Sequence, residues 1–512
     1  MNWAETIRYW ARWQGDKIAV RFGDRDLTWR ELELRGRELA AGLAAAGVGP
    51  GDRVGILLSN RVEFVETVVA CMNLGAIGVP FNLRFTTPEL AFVAGNAGCT
   101  VVVTEAALHS GLSLAHAQSP DMVVLDADDG TLDAARVHGA AASATLAAPD
   151  DPLFICFTSG TTGDPKGAVL THQSWFYSAM VRALQGGINL HDRILLPFPL
   201  AFTGGLALLM TSLWSGAQLH LEAAFEPGRA LRLIEQQKIT VFMAVPTLFK
   251  LMADHPSFAS TDISSIRCAS SGGATVPVPL IRTYLDRGIT MTQTYSLTEV
   301  SASGITLPYH QALERIGSCG VPAMHSAAKI VDADGNAVPA GTVGEIAIKG
   351  PEVMVGYWNN PEATAATLRD GWCHTGDLGT MDADGYFYVV DRAKDMLISG
   401  GLNVYPAEIE RQLATIDGIV ELAVIGVAHD TWGETPAVIA VVAADQFDGR
   451  LARQLDGQTI LDACAGKLAD FKIPRYLVVR DEPLPRNMSG KVLKSDLRKQ
   501  YADLPSTAEP IR

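Results

Sequence analysis

The chain alternates between segments with apolar residues at helical spacing and short runs that are apolar throughout. From Thr28 to Ala46, Leu32, Leu39 and Leu43 recur at the spacing of one helix face, which predicts an amphipathic helix. Short apolar runs that predict buried strands are MVVL (122–125), FICF (154–157), ITVFMAV (239–245) and SIRCASSGG (265–273). Strands separated by helices are typical of α/β architecture with largely parallel sheets.

Two further segments need their own interpretation. The stretch 64–81 is apolar, but Glu66, Asn73 and Pro80 interrupt it. We therefore expect a buried helix followed by a strand, and no membrane span. The alanine-rich segment 134–148 is expected to be an excursion at the surface.

The pattern changes near residue 330, where short strands and tight turns begin. The string DADG occurs at 332–335 and at 382–385, and Asp-Gly favours hairpin turns, so this region predicts antiparallel sheet. A smaller α+β unit follows, with helices expected near 407–414 and 494–501. The charged string DRAKD at 391–395 is our candidate hinge. The predicted organisation is an N-terminal domain over 1–390, the hinge, and a C-terminal domain over 396–512.

Composition limits the functions that the chain can have. Its 512 residues exceed one ordinary hydrophobic core, so two or more domains are expected. With 41 basic and 56 acidic residues the net charge is −15, which disfavours nucleic acid as a partner. The seven cysteines form no CxxC pair, and the N-terminus has no apolar signal core. These features predict a cytoplasmic protein with buried free thiols.

The strongest chemical signal is the string TSGTTGDPKG at Thr158–Gly167, directly after the predicted strand FICF. Glycines let backbone N–H groups approach a ligand, hydroxyl groups donate hydrogen bonds, and Lys166 supplies positive charge, so the string predicts a phosphate cradle. It is not a Walker A loop, because the chain contains no GxxxxGK[ST].

This string resembles the phosphate loop of the adenylate-forming superfamily, which contains acyl-CoA synthetases, adenylation domains of peptide synthetases and luciferases. Further blocks resemble that superfamily in its order along the chain: Tyr295–Glu299, Gly344–Ile346, Gly356–Trp358, Gly371–Asp377, Asp391–Arg392, Ser399–Glu410 and Pro485–Lys491. The implied fold is α/β and α+β. It comprises a large N-terminal domain of αβα-layered sheets with a small β-barrel-like antiparallel part, and a small mobile C-terminal α+β domain.

The resemblance implies a set of residues that bind ATP, Mg²⁺ and coenzyme A. The nucleotide and coenzyme A ligands would be Thr158, Ser159, Gly160, Thr161, Thr162, Gly163, Lys166, Gly273, Ala274, Tyr295, Ser296, Thr298, Asp377, Arg392, Gly400 and Gly401. Glu299 would be the Mg²⁺ ligand, in keeping with the preference of that cation for hard oxygen ligands. The catalytic residues would be Lys491, Thr162 and Glu299.

The implied mechanism uses two orientations of the C-terminal domain. Lys491 would enter the active site and bind both the substrate carboxylate and the α-phosphate, where a cation offsets the repulsion of two anions. Lys394 matches the position about which the family rotates this domain. After rotation, the loop at Gly400 and Gly401 would form a wall of the tunnel for the pantetheine arm of coenzyme A.

The substrate pocket contains two departures from the common pattern. Phe202 stands where the family usually has histidine, and Ser296 stands where it usually has glycine. The predicted pocket residues are Phe202, Thr203, Val245, Ser271, Gly272 and Ser296. None of them is charged, and a second substrate carboxylate in a desolvated pocket would need a cation. We therefore expect a monocarboxylic acid with an apolar body, whether fatty, aryl, alicyclic or steroid-derived.

The predicted function is an ATP-dependent acid–CoA ligase of the AMP-forming type, with a carboxylic acid, ATP and coenzyme A as its small-molecule partners. One alternative is a stand-alone adenylation enzyme that loads the phosphopantetheine arm of a carrier protein. A second is a nucleotide-binding relative without catalysis, which the complete set of polar residues disfavours. The sequence leaves open whether the protein is a homodimer.

Overall fold

The structure is a computed structural model that describes residues 2–141, 147–158, 165–274, 276–414, 416, 418–442, 455–486 and 492–512. The chain divides into two compact units. The first comprises Met1–Ala328 and Ile348–His374, and the second comprises Lys329–Ala347 and Thr375–Arg512. The predicted domain boundary at the 391–395 hinge stays a prediction.

Two sheets form the frame of the first unit. In spatial order, the strands of the larger sheet are Val321–Pro322, Gly304–Thr306, Met291–Ser296, Cys268–Gly272, Val241–Ala244, Arg193–Leu196, Gln218–Leu221, Ile18–Phe22 and Arg25–Thr28. Those of the second sheet are Gly356–Tyr357, Lys166–Thr171, Pro152–Thr158, Ile77–Pro80, Arg53–Leu57, Cys99–Thr104 and Val123–Asp126. In both sheets the central strands are parallel and antiparallel strands lie at an edge. The predicted strands and the α/β class are confirmed.

Helices pack between the two sheets and on their outer faces. The longer helices of the first unit are Trp3–Trp13, Trp29–Ala45, Val62–Leu74, Thr87–Ala97, His172–Gly186, Thr203–Ser215, Pro227–Gln237, Pro246–Ala253 and Val278–Leu285, and the shorter ones are Ala106–His109, Ser113–Gln118, Thr131–Ala134 and Pro361–Thr367. One buried apolar cluster joins residues of both sheets, such as Ile194 and Phe154, to helix residues such as Leu39, Val65 and Leu206. The first unit is therefore layered, with helices enclosed between two sheets. The enclosed helices are Trp29–Ala45, Val62–Leu74, His172–Gly186 and Thr203–Ser215.

Local sequence explains where the enclosed helices begin and end. The Thr28 side chain accepts a hydrogen bond from the Glu31 backbone while the Glu31 carboxylate accepts from the Thr28 backbone, so a capping box starts the helix Trp29–Ala45. The next helix, Val62–Leu74, ends at Gly75 in the left-handed conformation. The predicted helix over 28–46 and the helix followed by a strand over 64–81 are both confirmed.

The structure corrects the interpretation of the alanine-rich segment at its start. Arg136 is 7% exposed, and its guanidinium pairs with Glu66, which is fully buried in the helix Val62–Leu74. Arg35 pairs with the same carboxylate. The alanine-rich composition of the segment does not predict this contact, because a single arginine among alanines makes it. Residues 142–146 lie outside the part of the chain that the structure describes.

The second unit contains antiparallel structure and the α+β elements of the C-terminus. Most of one sheet lies here, with strands Ala327–Val331, Gly344–Lys349, Trp372–Met381 and Phe387–Arg392, whereas its short strand Leu368–Arg369 belongs to the first unit. A second sheet consists of Leu402–Val404, Leu397–Ser399, Gly433–Val442, Ile419–His429 and Tyr476–Arg480. The helices are Pro406–Leu413, Gly457–Cys464, Lys494–Gln500 and Leu504–Thr507. The predicted DADG turns are present, with Gly335 and Gly385 both at positive φ. Among the described residues, no helix combines the length and the apolar character that crossing a membrane requires.

Candidate active site

Five polar side chains of the first unit, brought together from four segments of the chain, form the centre of the candidate site. We call Lys166, Thr203, Thr298, Glu299 and Tyr357 the polar cluster. The Tyr357 hydroxyl donates to Glu299 Oε1 at 2.7 Å, and Lys166 Nζ lies 5.7 Å from the centroid of the Tyr357 ring. Thr298 and Thr203 are joined by a hydrogen bond of 2.9 Å between their hydroxyl oxygens.

The charges of the polar cluster suit a metal-bound triphosphate. Burial and the neighbouring Glu299 raise the pKa of Tyr357 well above its usual range, so at neutral pH this hydroxyl is a donor that orients the carboxylate. Among the described residues, no group of three metal-ligating side chains occurs. Mg²⁺ commonly binds through one or two carboxylates and substrate phosphates, so Glu299 with a bound triphosphate fits this cation.

The two ends of the phosphate string lie on paired strands. The strands Pro152–Thr158 and Lys166–Thr171 pair antiparallel, with Thr158 opposite Lys166. A Cβ on Gly167 would lie 2.6 Å from Ile155 Cγ2, so the close pairing of the two strands requires glycine there. Ser159, Gly160, Thr161, Thr162 and Gly163 lie outside the described residues, and so does Lys491.

Two polar side chains of one helix hold the turn that presents Glu299. Thr298–Val300 is a 3₁₀ turn, and the chain leaves it through Ser301 and Ala302, both at positive φ. Ser178 donates to the Ser301 carbonyl at 2.6 Å, and Arg182 donates to the Ala302 carbonyl at 2.5 Å. Both donors lie on the enclosed helix His172–Gly186, which thereby helps to hold the strained exit in place.

One buried asparagine holds the loop that leads to Phe202. Asn60 is 4% exposed, and its amide donates to the carbonyls of Phe198 and Glu222 at 2.8 and 3.1 Å. The Leu200 backbone donates to the Asn60 side-chain oxygen at 2.6 Å. Phe202 then caps the helix Thr203–Ser215. The conformation of the loop is therefore fixed by a residue that lies far away in the sequence.

The predicted pocket residues divide between two faces of the larger sheet. Gly272 and Ser296 share the face toward the enclosed helices, since a Cβ on Gly272 would lie 2.6 Å from Thr294 Oγ1 and Thr294 alternates with Ser296. Val245 and Gly273 approach one another at the strand ends, where a Cβ on Gly273 would lie 3.4 Å from Val245 Cγ1. Ser271 points to the opposite face and is 1% exposed. The structure does not bring Ser271 and Ser296 together. Of the neighbouring nucleotide predictions, Tyr295 is buried in the strand and Ala274 is exposed.

The predicted ribose and hinge residues lie in the second unit. Asp377 and Arg392 are opposite each other on paired strands, and Arg392 Nε is 3.4 Å from Asp377 Oδ1. Burial lowers the pKa of Lys394. Its neighbour Asp395 pairs with Arg498 at 2.7 Å, and Asp391 accepts from the Ala407 backbone at 2.8 Å. Asp391 and Asp395 of the predicted hinge thus bind the helices Pro406–Leu413 and Lys494–Gln500, respectively.

Gly400 and Gly401 form a two-residue hairpin turn. Their φ angles are +60° and +81°, and they join the antiparallel strands Leu397–Ser399 and Leu402–Val404. A Cβ on Gly400 would lie 2.6 Å from the Trp432 ring, so the first position requires glycine for space as well as for its backbone conformation. A contact of this turn with pantetheine stays a prediction.

Comparison with known families and structures adds independent findings. The model of the family described as AMP-binding enzyme matches residues 7–358, and the model of the AMP-binding enzyme C-terminal domain matches residues 408–491. The chain belongs to the AMP-binding enzyme family. Its relatives are acyl-CoA ligases, and it lies in the acyl-CoA synthetase branch of the adenylate-forming superfamily. The predicted family, fold class and enzyme class are confirmed, as is the use of ATP, Mg²⁺ and coenzyme A.

Members of the AMP-binding enzyme family match the chain over nearly its full length. Feruloyl-CoA synthase of Amycolatopsis sp is 40% identical over 96% of this chain and 97% of the relative. Long-chain-fatty-acid–CoA ligase FadD13 of Mycobacterium tuberculosis is 37% identical over 93% of each chain. The ATP-bound crystal structure of MatB from Rhodopseudomonas palustris has a TM-score of 0.89 at 31% identity, covering 98% of this chain and 100% of that one.

Sequence reasoning missed three residues of the site. Tyr357 lies in the quoted block Gly356–Trp358, but no role was assigned to it. Arg182 and Asn60 lie outside every family block, and each contacts a segment more than 100 residues away. The only sequence signal for Arg182 is its place as a charged residue within the largely apolar helix His172–Gly186.

Proposed function

We propose that this member of the AMP-binding enzyme family is an acid–CoA ligase in which the polar cluster binds Mg²⁺-ATP. The observation that carries the proposal is the contact of Tyr357 with Glu299 beside Lys166. The contact supports the proposal because it brings Glu299, the proposed Mg²⁺ ligand, close to Lys166, the proposed phosphate ligand, on one of the two paired strands that flank the phosphate string. Mg²⁺ supplies charge neutralisation at the triphosphate when bound.

In the first step, a carboxylate oxygen of the acid attacks the α-phosphorus of ATP, the bond to the β-phosphate breaks, and pyrophosphate leaves. This step needs position and charge more than proton transfer. Lys166 would hold phosphate oxygens, and Thr298 and Thr203 would orient the reacting group through their hydroxyls. Lys491 would neutralise the approaching carboxylate, as proposed from its place in the last family block.

In the second step, the thiol of coenzyme A attacks the carbonyl carbon of the acyl-adenylate. The thiol loses its proton, the carbon–oxygen bond to the phosphate breaks, and AMP leaves. We propose that Asp377 and Arg392 hold the nucleotide, that Lys394 is the hinge, and that the turn at Gly400 and Gly401 contacts the pantetheine arm.

The acid is proposed to enter the space between the larger sheet and the enclosed helices, with its carboxylate at the polar cluster. Ser296 and Gly272 are half-buried although helices cover this face of the sheet, as expected where a wall faces an open pocket. The names of two relatives refer to feruloyl and long-chain fatty acyl groups, and both agree with an acid that has a largely apolar body.

Ser296→Gly tests the position of the pocket. The substitution removes a hydroxymethyl group from the wall, so the relative kcat/KM values of aryl and fatty acids should change by about 3- to 10-fold. The KM for ATP should change less than twofold. An unaltered acid profile would remove Ser296 from the pocket.

The whole proposal is tested by two assays on one panel of fatty, aryl and alicyclic acids. Pyrophosphate release reports adenylation, and acyl-CoA formation reports transfer to coenzyme A, with a phosphopantetheinylated carrier protein as the competing acceptor. We expect at least one acid to give both products. Pyrophosphate release with transfer only to the carrier would favour the alternative enzyme, and no release with any acid would contradict adenylation.

We also propose that the protein is cytoplasmic, because its seven cysteines are buried free thiols, which are typical of a reducing compartment. The homodimer stays a prediction, and light scattering in solution would test it.

A further inference from the structure

Arg182 is a half-buried cation that the proposed chemistry does not use. It lies on the enclosed helix His172–Gly186, and its burial lowers its pKa to about 10, so the guanidinium remains charged at neutral pH. Among the described residues, no carboxylate lies within ion-pair distance of it, whereas Arg35 and Arg136 of the same unit both pair with Glu66. A charge that is largely withdrawn from water and has no counterion is costly, and ionisable groups with perturbed pKa values cluster at functional sites.

The partners of Arg182 are all neutral oxygens, and most are distant. Its guanidinium lies 3.2 Å from Thr211 Oγ1 and 3.4 Å from the Ala207 carbonyl. It lies 3.4 Å from both the carbonyl and the hydroxyl of Ser178, and 2.5 Å from the Ala302 carbonyl. Because only one of these hydrogen bonds is short, the guanidinium of Arg182 retains N–H groups that can donate to a better acceptor.

Two walls of the proposed acyl pocket converge on this guanidinium. One wall is the helix that begins at Thr203 in the polar cluster and contacts Arg182 through Ala207 and Thr211. The other continues from Ser296 to Ala302, whose carbonyl Arg182 binds. At 1.5 Å of rise per residue, the contacts at Ala207 and Thr211 lie roughly 6 and 12 Å along the helix from Thr203.

We propose that Arg182 closes the acyl pocket and donates to an acceptor oxygen that the acid carries at the end opposite its carboxylate. This rests on the proposed function, since it takes a carboxylic acid to be the substrate. The inferred substrate class is a compact ring acid, aryl or alicyclic, with a distal hydroxyl, carbonyl or carboxylate oxygen. It revises the expectation, drawn from the sequence, that the pocket contains no charge. An unbranched chain longer than the pocket would meet the guanidinium.

Matched acids that differ only in the distal oxygen test this role. The pairs are 3-(4-hydroxyphenyl)propanoic and 3-phenylpropanoic acid, and 3-(4-oxocyclohexyl)propanoic and 3-cyclohexylpropanoic acid, with 3-(4-carboxyphenyl)propanoic acid as the charged arm. In the scaffold that is turned over faster, kcat/KM for pyrophosphate release should favour the oxygenated acid by about 10- to 100-fold. A larger preference for the charged arm would identify a dicarboxylic acid as the substrate type, and a smaller one would identify a neutral oxygen.

Arg182→Met should bring the ratio of kcat/KM between the oxygenated and the unoxygenated acid close to 1, because the distal contact is lost. Loss of the bond to the Ala302 carbonyl lowers both kcat/KM values by the same factor, so the ratio is the measure of the distal contact. Arg232→Met, at an exposed arginine of another helix, is the matched control and should keep the wild-type ratio. Equal losses on both members of a pair would assign Arg182 a structural role and overturn the proposal.

The wild-type enzyme gives a second measurement if the variant does not fold. Moving the hydroxyl from position 4 of the phenyl ring to position 2 should abolish the preference, because the oxygen then no longer reaches the closed end. Equal kcat/KM values for the 2-hydroxyl and 4-hydroxyl isomers would overturn the role of Arg182. Pyrophosphate release with any of these acids would still leave the proposed function standing.

Discussion

At the scale of single residues, the site depends on side chains whose role is to orient another group. Tyr357 is an example, since its hydroxyl binds the Glu299 carboxylate while Lys166 lies over its ring. A hydrogen bond from outside the ligand shell fixes the direction in which a carboxylate presents its lone pairs. The metal affinity of Glu299 should therefore depend on Tyr357.

Tyr357→Phe should raise the Mg²⁺ concentration for half-maximal pyrophosphate release by about 10-fold, because Glu299 loses the bond that orients it. The kcat at saturating Mg²⁺ should fall less. Tyr9→Phe, at a tyrosine that is 55% exposed, is the control with the same chemical change. An unchanged Mg²⁺ dependence would show that Tyr357 does not act through the metal site.

Individual residues also show how far sequence alone reaches. Glu299, Thr298 and Lys166 were predicted because each lies within a family block of chemically distinctive composition. Arg182 and Asn60 were not, because the partners that define them are 120 and 140 residues away. Local patterns cannot reveal which distant backbone group a buried side chain will bind.

At the scale of elements, strands and helices followed from the sequence more readily than loops did. The helix Trp29–Ala45 lies within one residue of its predicted bounds because a capping box and the apolar spacing agree. The loop before Phe202 has no such local signal. Its conformation depends on Asn60, which closes three hydrogen bonds to backbone groups of two other segments.

Asn60→Ala should lower the free energy of unfolding by about 3 kcal/mol, because buried backbone groups lose their partners. It should also lower kcat, since the loop no longer fixes the position of Phe202. Urea denaturation and acyl-CoA formation measure the two effects. Thr28→Ala, which removes an exposed cap, should cost about 1 kcal/mol and leave kcat unaltered. Equal kcat losses in both variants would contradict the specific role of Asn60.

At the scale of the whole molecule, two buried histidines link stability to pH. Burial lowers the pKa of His172 and of His220 to about 4, against an ordinary value of 6.5. The unfolded chain therefore takes up protons first as the pH falls. The stability that the neutral rings contribute is complete above pH 6.5 and is lost progressively between about pH 6.5 and pH 4.

His220→Leu should make the free energy of unfolding less dependent on pH. Between pH 7.5 and pH 5.5 the wild-type protein should lose about 1.4 kcal/mol more than the variant, since one proton-binding site of the unfolded chain is absent. Urea denaturation at the two pH values measures this difference. His191→Leu, at an exposed histidine, should retain the wild-type dependence. Identical pH dependence in His220→Leu and the wild-type protein would contradict a buried neutral ring.

Lys491→Ala tests the use of two domain orientations. Adenylation should fall by about 100-fold or more, because the attacking carboxylate loses its cation. Transfer to coenzyme A from a supplied acyl-adenylate should be largely retained. Pyrophosphate release and thioester formation measure the two half-reactions separately, and equal losses in both would contradict the assignment.

The pairing of the strand Ile18–Phe22 with Gln218–Leu221 has a consequence during synthesis of the protein. Val20 lies opposite Leu219, so the partner strand is made 199 residues later. At the usual rate of translation this interval lasts roughly 10 to 40 seconds. During that time the hairpin of Ile18–Phe22 and Arg25–Thr28 has one edge without its partner, next to the buried Trp29. The first strands to leave the ribosome therefore wait for a partner from the middle of the chain, and a nascent chain halted before residue 218 exposes an unpaired strand edge of the kind that chaperones bind.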